Sequence, residues 1–99
     1  FVNNGQTCHL SSRILAPKAR YDEIVDAVAA LAESMTVGDP LDPTTEIGPM
    51  VSSRQRDRVL GYIDVGKNSG ARLVAGGSVP HEQPRGWFVA PTVFADVDN

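Results

Sequence analysis

Cys8 is the single cysteine of the chain, within Phe1-Val2-Asn3-Asn4-Gly5-Gln6-Thr7-Cys8-His9-Leu10-Ser11-Ser12-Arg13. A thiol becomes a strong nucleophile as its thiolate, which needs a lowered pKa or a nearby base. A buried cysteine serves instead as a small apolar core group. The neighbours here favour chemistry. Gly5 permits a tight turn or the close approach of a ligand. Asn3, Asn4, Gln6 and Thr7 are poor company for a buried strand and read as polar groups around a cleft. On these residues alone, a usable thiol and a packed one both stand. His9 and His81, with one cysteine, are too scattered for a metal site. His81 lies in a polar, proline-flanked loop and reads as a surface residue. Gly76-Gly77 lacks the surroundings of a phosphate loop or dinucleotide fingerprint.

The elements that hold these residues follow from apolar spacing. Arg13-Ile14-Leu15-Ala16 is a short run stopped by Pro17 and predicts a buried strand. Tyr21, Ile24, Val25, Val28, Leu31, Ala32 and Met35 recur at three and four, which predicts one apolar face of a helix. Asp22 and Glu23 suit its first turn, where the helix dipole favours negative charge. Gly38 predicts its C-cap, and Pro40 forbids continuation. Residues 39–50 hold Pro40, Pro43 and Pro49 and predict an extended loop. Ser52 and Gln55 have capping-box spacing for a second helix. Val59, Leu60, Tyr62 and Ile63 give that helix a thin apolar face. Gly66 weakens it and Gly70 ends it. Residues 71–75 predict a strand, 78–86 a polar loop, and 87–97 an extended segment interrupted by Pro91. Strand, helices and strand in this order predict an α/β fold, part of an open, largely parallel sheet with crossover helices. So few strands require neighbours beyond these residues.

At 99 residues, 41% hydrophobic and 21% charged, the chain reads as an ordinary globular segment with a modest core. A net charge of −3 argues against a nucleic-acid partner. No apolar run approaches the ~20 residues of a membrane span, so no membrane partner is expected. A lone cysteine closes no internal disulfide, which suits a reducing, cytoplasmic setting. The chain opens at Phe1, inside the motif quoted above, and is expected to be an internal segment of a longer protein.

Phe1, Gly5-Gln6, Cys8 and Ser12-Arg13 together resemble the active-site segment of the aldehyde dehydrogenase superfamily. The resemblance continues in order through Tyr21-Asp22-Glu23, Val37-Gly38-Asp39-Pro40-Leu41-Asp42, Thr45-Glu46-Ile47-Gly48-Pro49, Gly61-Tyr62-Ile63, Gly76-Gly77 and the segment from Trp87 to Phe94. It therefore covers essentially the whole chain. It implies that residues 1–99 are a partial catalytic domain, with the nucleotide-binding domain elsewhere. It also implies an NAD(P)-dependent oxidation of an aldehyde to a carboxylate. In that reaction the Cys8 thiolate attacks the carbonyl, and the thiohemiacetal oxyanion is held by the Cys8 backbone N–H and an asparagine side chain. Hydride passes to NAD or NADP, and a glutamate-activated water hydrolyses the thioester. In an acylating relative, coenzyme A takes the acyl group instead. That asparagine and glutamate lie upstream in the family, so Asn3 and Asn4 do not take their place.

The resemblance further implies substrate contacts from Thr7 and His9. The family usually has a small or aliphatic residue where His9 stands. His9 is expected either to lie beside the substrate tunnel, altering its size and polarity, or to turn away, since neighbours on an extended chain point oppositely. Gln55 and Arg58 match a pair that lies near the cofactor ribose in some members. The competing reading is a solvated helix end in which Arg54, Arg56 and Arg58 pair locally, for example with Asp57. The partners implied are a small-molecule aldehyde and further copies of the parent chain, as a dimer or tetramer. The segment alone is expected to be inactive and prone to self-association.

Two other functions fit the residues. One is a thiol hydrolase or acyltransferase using Cys8 with His9 or His81, which requires nitrogen and sulfur within roughly 3–4 Å. The other is a non-catalytic α/β packing module whose cysteine is incidental.

Overall fold

Tyr21–Ser34 forms helix α1 and Ser53–Asn68 forms helix α2; Arg72–Ala75 and Val93–Ala95 form strands β1 and β2. These elements come from a computed structural model that describes residues 1–98.

Helix α1 follows a 3-10 turn at Lys18–Arg20. The Arg20 guanidinium donates to both Glu23 carboxylate oxygens, at 3.0 and 2.7 Å, across the first turn. Tyr21, Ile24, Val25 and Val28 are half-buried and Ala32 is buried, on the face that packs against β1 and β2. Leu31, expected on the same face, is 54% exposed. It lies at the rim of the stripe, where a 3.6-residue period carries it toward solvent.

The predicted C-cap at Gly38 is not used. The helix stops at Ser34, and Met35 leaves it in extended geometry. This direction lets Val37 form a single parallel bridge with Ile47, while the Gly38 N–H donates to the Ile47 carbonyl at 3.0 Å. Gly38 is required for space instead, because a Cβ there would sit 2.9 Å from Thr45 Oγ1.

Helix α2 begins as its sequence predicts, with Ser52 Oγ accepting the Gln55 N–H at 3.2 Å. Ile63 is buried and Val59 and Leu60 half-buried. Gly66 does not break the helix. It clears a place for Phe94, whose ring would stand 2.7 Å from an added Cβ. Gly70, at φ +87°, ends the helix as expected.

The one strand pair among the described residues is antiparallel, so the expected largely parallel sheet is not formed by these strands alone. β1 and β2 are antiparallel, with Arg72 opposite Ala95, Leu73 opposite Phe94 and Ala75 opposite Val93. Residues 76–92 return without a crossover helix, and a return of that kind leaves the strands antiparallel. Among the described residues, 13–16 belong to no ladder, and Ile14 and Leu15 are 66% and 84% exposed. The first strand of the predicted crossover therefore has no partner among the described residues.

The core is thin. Ala32, Ile47, Met50, Ile63, Ala75, Phe88 and Ala95 are buried, and three of these are alanines. Polar ties supplement it. Arg72 Nε donates to Asp96 Oδ2 at 2.7 Å, and the Asp96 N–H donates to Tyr21 Oη at 2.7 Å, joining the end of β2 to α1. The Arg72 and Tyr21 hydrogen bonds hold the Asp96 carboxyl below the usual carboxylate range.

Gly76 fixes the β1 exit. Its φ is +69°, and a Cβ there would overlap the Pro91 carbonyl oxygen and lie 2.7 Å from Thr92 Oγ1. Gly70 has a similar φ, but its Cβ would meet open space. Gly70→Ala is expected to cost only the left-handed penalty of about 1–2 kcal/mol. Gly76→Ala adds a backbone clash and is expected to cost about 3 kcal/mol or more. Urea midpoints of the two variants compare them directly; equal midpoints would show that the Pro91 carbonyl yields freely.

Candidate functional site

The thiol stands on a turn. Leu10 N–H donates to the Thr7 carbonyl at 3.2 Å, which makes Cys8 and His9 the two corner residues. Both are exposed, while Thr7 is half-buried and its Oγ1 accepts from Asn3 Nδ2 at 3.3 Å. The Cys8 backbone N–H has no acceptor among the described residues, as befits the second position of such a turn.

The preceding residues form a short left-handed stretch inside the 3-10 turn Val2–Gly5, with Asn3 at φ 50°, Asn4 at φ 56° and Gly5 at φ 73°. Asn and Gly are the residues that visit this region most readily. Asn4 Nδ2 donates to the Gly48 carbonyl at 2.9 Å and to the Pro49 carbonyl at 2.8 Å. Gln6 Oε1 accepts the Val51 N–H at 3.1 Å, and its Nε2 reaches the Asn3 carbonyl at 3.4 Å. The polar residues around the thiol are thus not all cleft-lining. Asn4 and Gln6 fasten the loop to residues 48–51, directly ahead of α2. Asn3 and Asn4 also edge an open depression of about 490 Å³ with Thr45 and Glu46, and Cys8 is not among its walls.

The turn bears on the two expectations for His9 without deciding between them. The argument that it points away from Cys8 assumed an extended chain, where side chains alternate. At adjacent corners of a turn, alternation does not apply. Among the described residues, no hydrogen bond joins Cys8 to His9 or His81, so no thiol–histidine dyad is formed.

Gln55 and Arg58 lie on the first two turns of α2, three apart and so on one side of the helix. Gln55 is half-buried, and its side-chain amide has no hydrogen-bond partner among the described residues. The Arg58 guanidinium lies over the Tyr62 ring, 5.8 Å from its centroid. The expected local pairing with Asp57 is made by Arg56, which donates to Asp57 Oδ1 at 2.9 and 3.0 Å. Since Val51 is held by Gln6 and Ser52 caps α2, the cysteine turn and this helix start are fastened together. No group of three or more His, Cys, Asp or Glu side chains among the described residues could hold a metal ion. Among the described residues, no helix is long and apolar enough to cross a membrane.

The anchoring by Asn4 and Gln6 is what sequence reasoning missed. Asn-Asn-Gly is a signal for a left-handed turn. The acceptors lie 44 and 45 residues along the chain, beyond any local pattern.

Fold and site together define a class: an α/β segment that presents one exposed thiol on a loop fastened to a helix start. The Aldehyde dehydrogenase family pattern matches residues 1–99, and the chain belongs to that family. It is 56% identical over 98 residues to a geranial dehydrogenase of Castellaniella defragrans, covering 99% of this chain and 20% of that protein. It is 48% identical over 100 residues to a betaine aldehyde dehydrogenase of Rhizobium etli, covering 100% of this chain and 20% of that one. Among solved structures, an aldehyde dehydrogenase of Mycobacterium tuberculosis complexed with NAD+ superposes with a TM-score of 0.93 at 54% identity, over 97% of this chain and 20% of that chain. The chain spans about a fifth of the length of these relatives.

Proposed function

We propose that residues 1–99 are the nucleophile-bearing part of the catalytic domain of an NAD(P)-dependent aldehyde dehydrogenase, which oxidises a small aldehyde to its carboxylate. The observation that carries this reading is the exposed Cys8, with an uncommitted backbone N–H, on a turn of a chain that belongs to the family throughout. The Cys8 thiolate attacks the aldehyde carbon and a thiohemiacetal forms. The oxyanion then lies within reach of the Cys8 N–H, a donor that is already oriented and needs no other partner to be displaced. Loss of hydride leaves a thioester on Cys8, which water cleaves. Thr7, held by Asn3, forms the near wall for the substrate, and His9 projects beside it.

NAD or NADP, when bound, supplies the hydride acceptor. Gln55 and Arg58 fit a ribose edge, because they offer one uncommitted amide and one guanidinium on a single helix side. The exposed Ile14 and Leu15 suit a strand of a larger, open, largely parallel sheet that the rest of the domain completes. A cytoplasmic homo-oligomer is the proposed state of the whole enzyme. The test is Cys8→Ala in the full-length enzyme, assayed for aldehyde-dependent NAD(P)H formation. Retention of most of the turnover would overturn the reading.

His9→Val is expected to change the preference between short and long aldehydes by about fivefold to tenfold in kcat/KM, as one pocket contact commonly does. The maximal rate on the best aldehyde should stay within about threefold of the parent value. Loss of rate on every aldehyde, restored by added imidazole, would make His9 a base.

A further inference from the structure

The left-handed stretch at Asn3, Asn4 and Gly5 is a conformation that non-glycine residues resist, so contacts outside the turn must hold it. Those contacts converge on one side chain. Asn4 gives its two amide hydrogens to two successive carbonyls, Gly48 at 2.9 Å and Pro49 at 2.8 Å. The pair of acceptors fixes the amide's orientation, because the amide oxygen turned that way would face two other acceptor oxygens. Gln6 supplies a second anchor by accepting the Val51 N–H. The gripped segment is itself held, since the Met50 N–H donates to the Trp87 carbonyl at 2.8 Å. Asn4 is half-buried while Asn3 and Gly5 are exposed, so the turn meets the body of the protein through Asn4.

The geometry points to Asn4 as a positioning residue for Cys8, with Gln6 as the second anchor. Together they clamp the turn onto residues 48–51, so that the sulfur and the Cys8 N–H are held as one unit in a fixed place relative to the body of the protein, where substrate must meet them. The clamp rests on the proposed nucleophilic role of Cys8. Its requirement is chemical: the position needs an amide donor, because carbonyl oxygens are what it meets.

The test uses the full-length enzyme carrying this segment and follows the first turnover, the burst of NAD(P)H on rapid mixing with aldehyde. Asn4→Gly removes both donors but accepts φ 56° without strain. It is expected to slow the burst about tenfold, as a displaced reacting group does, while the burst amplitude, the aldehyde KM and Tm stay near the parent values. Asn4→Gln restores an amide donor on a longer stem and is expected to recover most of the rate. A merely structural role would instead lower Tm and amplitude together and leave the burst rate unchanged. If Asn4→Gly does not fold, Gln6→Leu breaks the other anchor and is expected to give the same slower burst at full amplitude. A parent-like burst rate in the folded variant, or Gln performing no better than Gly, overturns the clamp. Cys8→Ala runs alongside. A silent Cys8→Ala with a fast Asn4→Gly sinks the clamp alone, whereas an active Cys8→Ala sinks the nucleophile on which the clamp rests.

Discussion

Cys8→Ala in the full-length enzyme is expected to lower aldehyde-dependent NAD(P)H formation by about 10⁴-fold or more, the scale on which loss of a covalent nucleophile acts. The structure gives three reasons. Cys8 is exposed on a turn, where an aldehyde can approach the sulfur. Its own N–H is uncommitted and adjoins any oxyanion formed there. It is the one cysteine of these 99 residues, so no neighbouring thiol of this segment takes over. The substitution removes a sulfur from an exposed site and leaves the clamp at Asn4 and Gln6 in place, so Tm should change little. An acid quench during turnover should find the acyl mass on the Cys8 peptide of the parent enzyme and none in the variant. A variant that keeps more than about a tenth of the turnover would mean that the acyl group is carried elsewhere.

Much of the scaffold around Cys8 was readable from spacing. The inner face of α1 at Ile24, Val25, Val28 and Ala32, the Ser52 cap of α2 and the stop at Gly70 are local effects, set within a turn or two of helix. Three glycines have a role in space besides any local one. Gly38 answers to Thr45, Gly66 to Phe94 and Gly76 to Pro91, each a close approach across a loop or between elements that no helix or strand period encodes. The parallel sheet was inferred by counting residues 13–16 as a strand. Among the described residues they have no neighbour to pair with, and an unpaired run of Ile14 and Leu15 stays exposed. The cysteine motif was legible through its resemblance to a family, whereas its local residues left two readings open. What the motif could not reveal is that Asn4 and Gln6 spend their amides on the backbone of residues 48–51. A polar residue beside a nucleophile reads as cleft lining until its acceptor is located.

Expressed by itself, the 99-residue chain is expected to form no NADH from any aldehyde and to leave NAD and NADP unbound at micromolar concentrations. Binding must offset roughly 4–15 kcal/mol of lost translational and rotational freedom. Gln55 and Arg58 offer two contacts at an open helix surface, and hydrogen bonds of this kind contribute about 1–3 kcal/mol each. The oxyanion fares similarly. The Cys8 N–H is one donor, and the absence of a single partner donor costs about 10²–10³ in rate. The chain spans about a fifth of the length of its relatives. The exposed Ile14, Leu15 and Val51, at 66%, 84% and 74%, should also draw copies of the isolated chain together. Calorimetry with each cofactor, absorbance of NADH and sedimentation of the purified chain test the three expectations. Micromolar cofactor binding or measurable turnover would show that Cys8, Gln55 and Arg58 already form a complete site. Monomeric behaviour at high concentration would show that the apolar run at residues 14 and 15 finds cover within the chain in solution.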